Sequence, residues 1–422
     1  MEIHKTMVLI GSRSFIVAAG ASTAASFIGV YGVLLGASPI EMGFLQALAN
    51  SISNGAQILF GRISDASGLR KPWIIGASAM LAVLWFSLSY VTGPLELILI
   101  YSVISLSSAM ITVNWFALLT DLTGHGNRGS FMARISNLSS IGNMITLIIL
   151  TFFLKGDEKS LLIIPFTLAS ISYVLSAIIV SLLKESKKRS IFRKSFIENV
   201  KDVKKHGDFY RYLRAMMFQG FFWSMAWPIF PITVIAVRNF TLPMIAVLTV
   251  VNITATIIIQ IYTGRTSDRG NRVPLIFINR LLLGGIPFMY AFFVSFYEFI
   301  FIEVYSGVLS GIQNVVMNSY LMDLLPDENR AEYISIMNGF NGIVYFFGSV
   351  SGGELLEYLI GFIPLHMAVE YSFIIIGTGR IITSFLFINL NDPGRNKRTP
   401  LLNILFRLNN AGLPSGSIIR QR

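Results

Sequence analysis

The feature that most limits how this chain can fold is a succession of apolar runs, each about 20 residues long and separated by Gly, Pro or charge clusters. A helix of that length crosses the hydrocarbon core of a bilayer, whereas a soluble fold has nowhere to put so much apolar surface. Twelve runs fall near 14–36, 39–60, 73–92, 95–119, 136–154, 160–183, 211–236, 242–263, 274–294, 297–320, 333–359 and 366–389. The turns at Ala37-Ser38-Pro39 and Thr92-Gly93-Pro94 make the two tightest hairpins. Composition agrees: 13% of the residues are charged, about half the usual 25%. No hydrophilic stretch is long enough for a separate soluble domain, and the first run is too long for a cleavable signal. The expectation is an all-α integral membrane protein with twelve transmembrane helices.

The net charge of +11 does not point to nucleic acid, because the basic residues lie between apolar runs rather than on one folded face. Twenty-eight of the 33 Lys and Arg fall in alternate loops and at the two ends, and the longest connection holds eleven of them, from Lys184 to Arg214. The opposite loops hold only Lys155, Lys159 and Arg238. Lys and Arg gather on the cytoplasmic side, so both termini and the long central loop are expected inside a cell (plasma) membrane.

With no cysteine, thiolate catalysis, thiolate metal sites and redox switching are excluded. His4, His125, His206 and His366 are far apart in sequence, too thin a supply for an ordinary zinc site. Neither a Ser/His/Asp grouping near one membrane depth nor a phosphate-binding Gly-x-x-x-x-Gly-Lys loop occurs. The expectation is no enzyme, no cofactor and no metal.

The chain is two copies of one pattern. Gly61-Arg-Ile-Ser-Asp65 recurs as Gly264-Arg-Thr-Ser-Asp268, and Gln57 has its counterpart in Gln260. Asp121 and Arg128 recur as Asp323 and Arg330 at nearly the same shift. Two motifs keeping one shift mean two six-span halves of the same orientation. The divisions are 1–185 for the first bundle, 186–208 for a basic linker, 209–390 for the second bundle and 391–422 for the tail. The run Ser195–Lys205 reads as a solvated linker or an amphipathic surface helix, and the Pro- and Gly-bearing tail as disordered, with or without a brief membrane-surface helix over Leu401–Leu408.

On these motifs the chain resembles the major facilitator superfamily (MFS), whose fold is twelve helices in two pseudo-symmetric six-helix bundles. That family's loop between helices two and three, Gly-x-x-x-Asp-Arg-x-Gly-Arg-[Arg/Lys], corresponds here to Gly61, Asp65, Gly68 and Arg70, with Lys71 adding a charge. Ala66 and Leu69 replace two of its basic residues. The second copy keeps Gly264, Asp268 and Arg269, but its glycine, Gly270, comes one residue early. The resemblance implies that Asp65 docks against the eleventh helix and latches the inner face shut. Asp121, Arg128, Asp323 and Arg330 belong either to the same gate or to helix-end capping.

The resemblance also implies a central cavity lined by spans one, four, seven and ten. The first span offers Ser22, Thr23, Ser26 and Tyr31; the fourth offers Thr112, Asn114 and Trp115; the seventh, Gln219, Trp223 and Trp227. The tenth carries a polar stripe of Ser306, Ser310, Gln313, Asn314 and Asn318 below Glu303. Secondary lining is expected from Asn50, Asn54, Gln57, Asn252, Gln260, Asn338 and Asn341. Glu303 lies seven residues into its span, at a depth where a carboxyl is costly unless functional or paired. It reads as a proton-coupling group, a recogniser of a cationic group, a partner for a basic side chain, or a side chain reaching the outer water; Glu354 is a weaker candidate. Arg280 and Arg380 read as structural, reaching toward the inner surface. Spans one, four, seven and ten carry no Lys or Arg away from their ends, which disfavours phosphorylated substrates.

The sequence therefore predicts a monomeric secondary transporter in a lipid bilayer, moving a small molecule by alternating access, with protons as an open coupling partner. Neutral polar, aromatic or amphipathic substrates suit the amides, hydroxyls and tryptophans. A multidrug/proton antiporter for amphipathic cations is an alternative, although the arginine in span four and the Gly-Pro pair in span five that mark drug exporters are missing. A transporter-like sensor or an integral-membrane enzyme is the alternative of another class.

Overall fold

The computed structural model describes residues 2–122, 128–154, 159–185, 206–266, 272–325 and 330–391. They form twelve long helices and no strand: α1 (Thr6–Leu34), α2 (Pro39–Ser67), α3 (Lys71–Tyr90), α4 (Pro94–Leu122), α5 (Arg128–Phe153), α6 (Ser160–Ser181), α7 (Gly207–Val237), α8 (Leu242–Thr266), α9 (Arg272–Phe292), α10 (Phe296–Leu324), α11 (Arg330–Ile360) and α12 (Leu365–Asn389). Eleven are long enough and contain an apolar stretch sufficient to cross a membrane. The exception is α2, where Gln46, Asn50, Ser51, Ser53, Asn54 and Gln57 interrupt the apolar surface. Those residues need protein or water beside them, and α2 accordingly packs against α4 and α11. Large apolar side chains elsewhere turn outward, among them Val83 and Phe152 at 69% and 68% exposure. That is the reverse of a soluble surface and fits a lipid-facing one.

Local chemistry sets the helix ends. Ser38 accepts from the Glu41 amide at 3.2 Å while the Glu41 carboxylate accepts from the Ser38 amide at 2.8 Å, with Pro39 in the first turn of α2. This reciprocal cap satisfies donors that a helix N-terminus leaves free. Gly68 closes the same helix at φ 69°, a left-handed conformation that favours glycine. The starts of α4 and α10 are capped alike: Glu96 accepts from the Thr92 amide at 2.9 Å, and Glu298 from the Val294 amide at 2.8 Å. Both residues of that pair are displaced by the same interval as Asp121 and Asp323, so the repeat extends to capping geometry.

Three helices are interrupted. A wide turn occupies Ala18–Ser22 of α1, and Ser26 and Phe27 follow as a non-helical turn. In α7 the break covers Ala226, Trp227 and Pro228, close to the equivalent place in the second half, and a wide turn follows at Thr233–Val237. In α9 the break is at Gly284, three residues before Pro287, whose missing N–H leaves the Leu283 carbonyl without its usual helical donor.

The two halves meet along α2–α11, α5–α8 and the far ends of α1 and α7. Small residues allow the first seam: a Cβ on Gly43 would sit 2.9 Å from the Ser349 carbonyl oxygen, and Gly353 lies against the Pro39 carbonyl. Ser51 donates to the Gly342 carbonyl at 2.6 Å near mid-helix. Gly29 of α1 faces the Pro231 ring of α7, and Thr254 of α8 donates to the Met144 sulfur at 3.6 Å. These contacts run from the side opposite Glu2 and Asn391 to the middle of the helices. On that side the bundles are closed against each other.

Candidate functional site

Glu303 occupies the first third of α10. Ser306, Ser310 and Asn314 follow one face of the helix below it, because residues three, four and seven apart stack on an α-helix. Exposure grows along this stripe: Ser306 and Ser310 are half-buried, whereas Asn314 and Asn318 are exposed. The Glu303 carboxylate accepts two hydrogen bonds from other helices. Asn252 Nδ2 of α8 donates to Oε2 at 2.9 Å, and the Tyr290 hydroxyl of α9 donates to Oε1 at 3.1 Å. Gly307, one turn on, lets α10 approach α8, where a Cβ would meet the Asn252 carbonyl and Ala255.

Two cavities meet at this carboxylate. One, of ≈ 300 Å³, lies between the bundles and takes Ser26, Gly29 and Gln46 from the first half, and Phe230, Asn252, Tyr290 and Glu303 from the second. The other, of ≈ 230 Å³, is within the second bundle and is lined by Trp223, Trp227, Phe230, Tyr290, Glu303, Ser306, Ser310 and Arg380. Phe230 and Tyr290 form the wall between them, with ring centroids 4.6 Å apart, and both pack on Phe373.

Arg380 of α12 is a correction to the sequence reading, which sent it toward the membrane surface. It is 3% exposed and its guanidinium does not leave the bundle. Its Nη2 donates to the Trp223 carbonyl at 2.9 Å, its Nε to the Phe222 carbonyl at 3.3 Å and its Nη1 to the Leu283 carbonyl at 3.5 Å. These carbonyls end the helical segments at the breaks in α7 and α9, where Trp227 N–H turns to Ser224 and Pro287 has no N–H to give. A cation at two helix C-termini is the arrangement the peptide dipoles favour. Gly379 and Gly377 make the approach possible by lying against the Phe222 and Phe288 rings.

Arg280 is likewise 3% exposed rather than at the surface; it contacts Met317 Sδ and shares the Trp223 ring with Arg380, the guanidinium carbons lying 5.6 and 5.2 Å from its centroid. Arg13, in the N-terminal part of α1, is buried over the Trp115 ring at 3.8 Å and donates to Ser176 at 3.0 Å. The fixed cation thought to be missing from the cavity is therefore supplied by α12, which weakens the argument against anionic substrates.

The remaining cavity candidates divide. Trp223, Trp227, Ser306 and Ser310 line the cavity within the second bundle. Gln219 is buried and donates to the Arg280 carbonyl at 3.4 Å, and Gln313 is half-buried. Asn114 is buried and donates to the Met110 carbonyl of its own helix, and Thr112 is exposed and bonded to Ser108. Trp115 serves Arg13. Glu354 is exposed near the end of α11. Asn252, treated as secondary, is a direct partner of Glu303, and Tyr290 was not singled out at all. Its spacing from Glu303 held no signal, since the two lie on different helices.

In the loop motif, Asp65 pairs with Arg70, which also donates to Ser64 at 2.6 Å. The Arg70 and Lys71 amides donate to Glu185 beyond α6 at 2.6 and 3.0 Å, and Lys71 Nζ donates to the Ser181 and Leu183 carbonyls. Gly61 lies against Val113 of α4. These contacts bind the loop to its own half. In the second half Asp323 pairs with Arg272, the residue displaced from Arg70 by the Asp121–Asp323 interval. Gly264 is near the end of α8; Asp268 and Arg269, the run 195–205 and the segment 401–408 lie outside the described residues, as do the side chains of Asp121, Arg128 and Arg330.

The arrangement of two helical bundles around cavities at mid-depth defines a membrane transporter fold. The family model of the Major Facilitator Superfamily matches residues 12–221 and 212–409, and the chain belongs to that family. Among solved structures it is similar to a D-xylose-proton symporter, with 12% identity over 94% of this chain and 100% of that one and a TM-score of 0.74. It is also similar to the nucleoside transporter NupG, with 12% identity over 92% and 99% and a TM-score of 0.71. A third is a bacterial homologue of the human lysosomal transporter Spinster in an inward-facing, occupied conformation, with 11% identity over 94% and 98% and a TM-score of 0.67. At such identities the likeness is one of fold. No curated protein sequence matches the chain.

Proposed function

We propose that the protein is a secondary active transporter that carries a small polar molecule with an aromatic or apolar body across a cell membrane, coupled to protons through Glu303. The observation that supports this most directly is the place of the Glu303 carboxylate, at the wall shared by two cavities and held by donors from α8 and α9. A carboxylate at that depth is costly to keep unless it works. Rocking of one bundle against the other would expose it to each side in turn, and protonation would neutralise it between the two exposures.

In this reading the side bearing Glu2 and Asn391 is cytoplasmic, which the distribution of Lys and Arg supports. The glycine-lined seam of α2 and α11 is the outer gate, closed in this conformation. The inner gate is the Asp65–Arg70 and Arg272–Asp323 loops, each tied to its own half. The bundles divide near residues 185 and 209, and one copy suffices.

The test is a solute panel in proteoliposomes under an imposed pH gradient. Gradient-driven uptake that vanishes in Glu303→Gln while counterflow persists at saturating solute is the expected result. Uptake in that variant still driven by the gradient refutes proton coupling at this residue.

A further inference from the structure

Glu303 and Arg380 face the same ≈ 230 Å³ cavity, yet they are not partners. Each is held instead by neutral groups: the acid by Asn252 and Tyr290, the base by three backbone carbonyls. Among the described residues neither is joined to an opposite charge, unlike the members of the pairs Arg70–Asp65, Arg211–Asp208 and Arg272–Asp323. Both retain unused capacity toward the cavity. A guanidinium has five N–H donors and a carboxylate about four acceptor positions; three and two of these are taken by the bonds above. Burying charges without opposite partners is costly, and the cost is recovered when a ligand brings both missing partners.

We propose that Glu303 and Arg380 are the two poles of a binding site for a small zwitterion with an aromatic body, in the manner of an aromatic α-amino acid. The ligand's ammonium meets the Glu303 carboxylate, and its carboxylate meets the two free N–H groups of Arg380 as a planar, charge-assisted pair. Its ring lies among Trp223, Trp227, Phe230 and Tyr290, and Ser306 and Ser310 supply hydroxyls between the poles. The volume is below the range of about 300–1,000 Å³ usual for drug-sized ligands, which favours a compact molecule. This rests on the transporter reading and narrows its substrate class.

The test compares three probes on the full-length protein in nanodiscs, followed by fluorescence of its tryptophans: L-phenylalanine, 3-phenylpropionate and 2-phenylethylamine. L-phenylalanine is expected to bind at least about 10-fold more tightly than either one-charge analogue, since a site built for a polar group rejects ligands lacking it. In Glu303→Gln its advantage over phenylpropionate should collapse, with phenylpropionate binding as tightly as before or more so, because the negative charge facing it is gone. Equal binding of all three probes, or preference for a one-charge analogue, overturns the zwitterion site. If L-phenylalanine does not bind while a pH gradient still drives another solute, the zwitterion site fails and the transporter reading stands. If no solute moves in either direction under any gradient, the transporter reading fails, and the site's role as a carrier site fails with it.

Discussion

The Tyr290 hydroxyl donates to Oε1 of Glu303 at 3.1 Å while its ring stands edge-on to Phe299 and 4.6 Å from Phe230. One residue thus both orients the carboxylate and forms the wall between the two cavities. The two roles can be separated, because phenylalanine keeps the ring and removes the donor. Tyr290→Phe leaves Asn252 as the remaining donor to the carboxylate. A hydrogen bond to a charged group contributes about 1.5–3 kcal/mol, and a carboxylate no longer held in its orientation is expected to raise KM by up to about 10-fold. Thermal stability should fall by less than in Arg380→Met, since one acceptor loses one donor and the aromatic packing persists. Initial-rate uptake across substrate concentrations, read beside a melting curve, measures both; an unaltered KM would show that Tyr290 acts only as a wall.

The second prediction concerns the cap formed by Arg380. Its guanidinium joins the interrupted ends of α7 and α9, and removing it strands the carbonyls of Phe222, Trp223 and Leu283 away from water. Each unsatisfied buried acceptor costs about 1–3 kcal/mol. Arg380→Met is therefore expected to lower the melting temperature in detergent well beyond Tyr290→Phe. Arg380→Lys should fall between, because an ammonium keeps the charge but cannot span three carbonyls as a planar fork does. Equal melting temperatures for the Met and Lys variants would mean that charge alone, and not the fork, stabilises the breaks.

A third prediction separates the two loop ion pairs. The Asp65–Arg70 side chains are 15% and 17% exposed, whereas in Arg272–Asp323 the acid is 50% exposed. Solvent screening weakens the second pair, whose coupling should fall in the surface range of about 0–1 kcal/mol. A double-mutant cycle with Asp65→Asn and Arg70→Gln is expected to exceed one with Asp323→Asn and Arg272→Gln. High salt should diminish the second coupling more. The reverse order would show that the first loop draws its stability from Glu185 and the backbone rather than from its own ion pair.

Much of the architecture could be read from the chain because lipid imposes a one-dimensional rule: a span must be apolar, long enough and helical. That rule finds all twelve helices, including α2, whose polar residues betray a helix that is surrounded by protein. Glu303 stood out for the same reason, as a charge at a depth where charges are rare. Arg380 shows where the rule ends. Its depth was readable, but its partners are carbonyls released by breaks in two other helices, and those depend on how α12 packs against α7 and α9. Tyr290 was hidden for a like reason: a tyrosine in an apolar run is unremarkable until a carboxylate on another helix comes within reach. The pairing of Arg272 with Asp323 was available in principle, since both lie at one interval from Arg70 and Asp121. The motif drew attention to Arg269 instead.

The last prediction uses the cysteine-free sequence to follow the seam between α2 and α11. Gly353 lies against the Pro39 carbonyl and Gly43 against Ser349, so these helices touch backbone to backbone on the side away from the termini. A larger residue there would need space that the closed seam does not contain, and displacing a helix backbone is not a cheap adjustment. Gly353→Val should therefore favour conformations in which the two helices separate and the ≈ 300 Å³ cavity opens to the far side. Since the chain has no cysteine, Ser26→Cys gives a single reporter on the wall of that cavity. Labelling from the far side by a membrane-impermeant maleimide is expected to be slow in Ser26→Cys alone. It should quicken about 10-fold when Gly353→Val is added, as a shift of about 1.4 kcal/mol between the two conformations would produce. The same valine at Gly55, which has open space around it, is the control and should leave the rate unchanged. If both valines accelerate labelling equally, the seam is not the outer gate, and closure on that side must be sought where α1 meets α7, at Gly29 and Pro231.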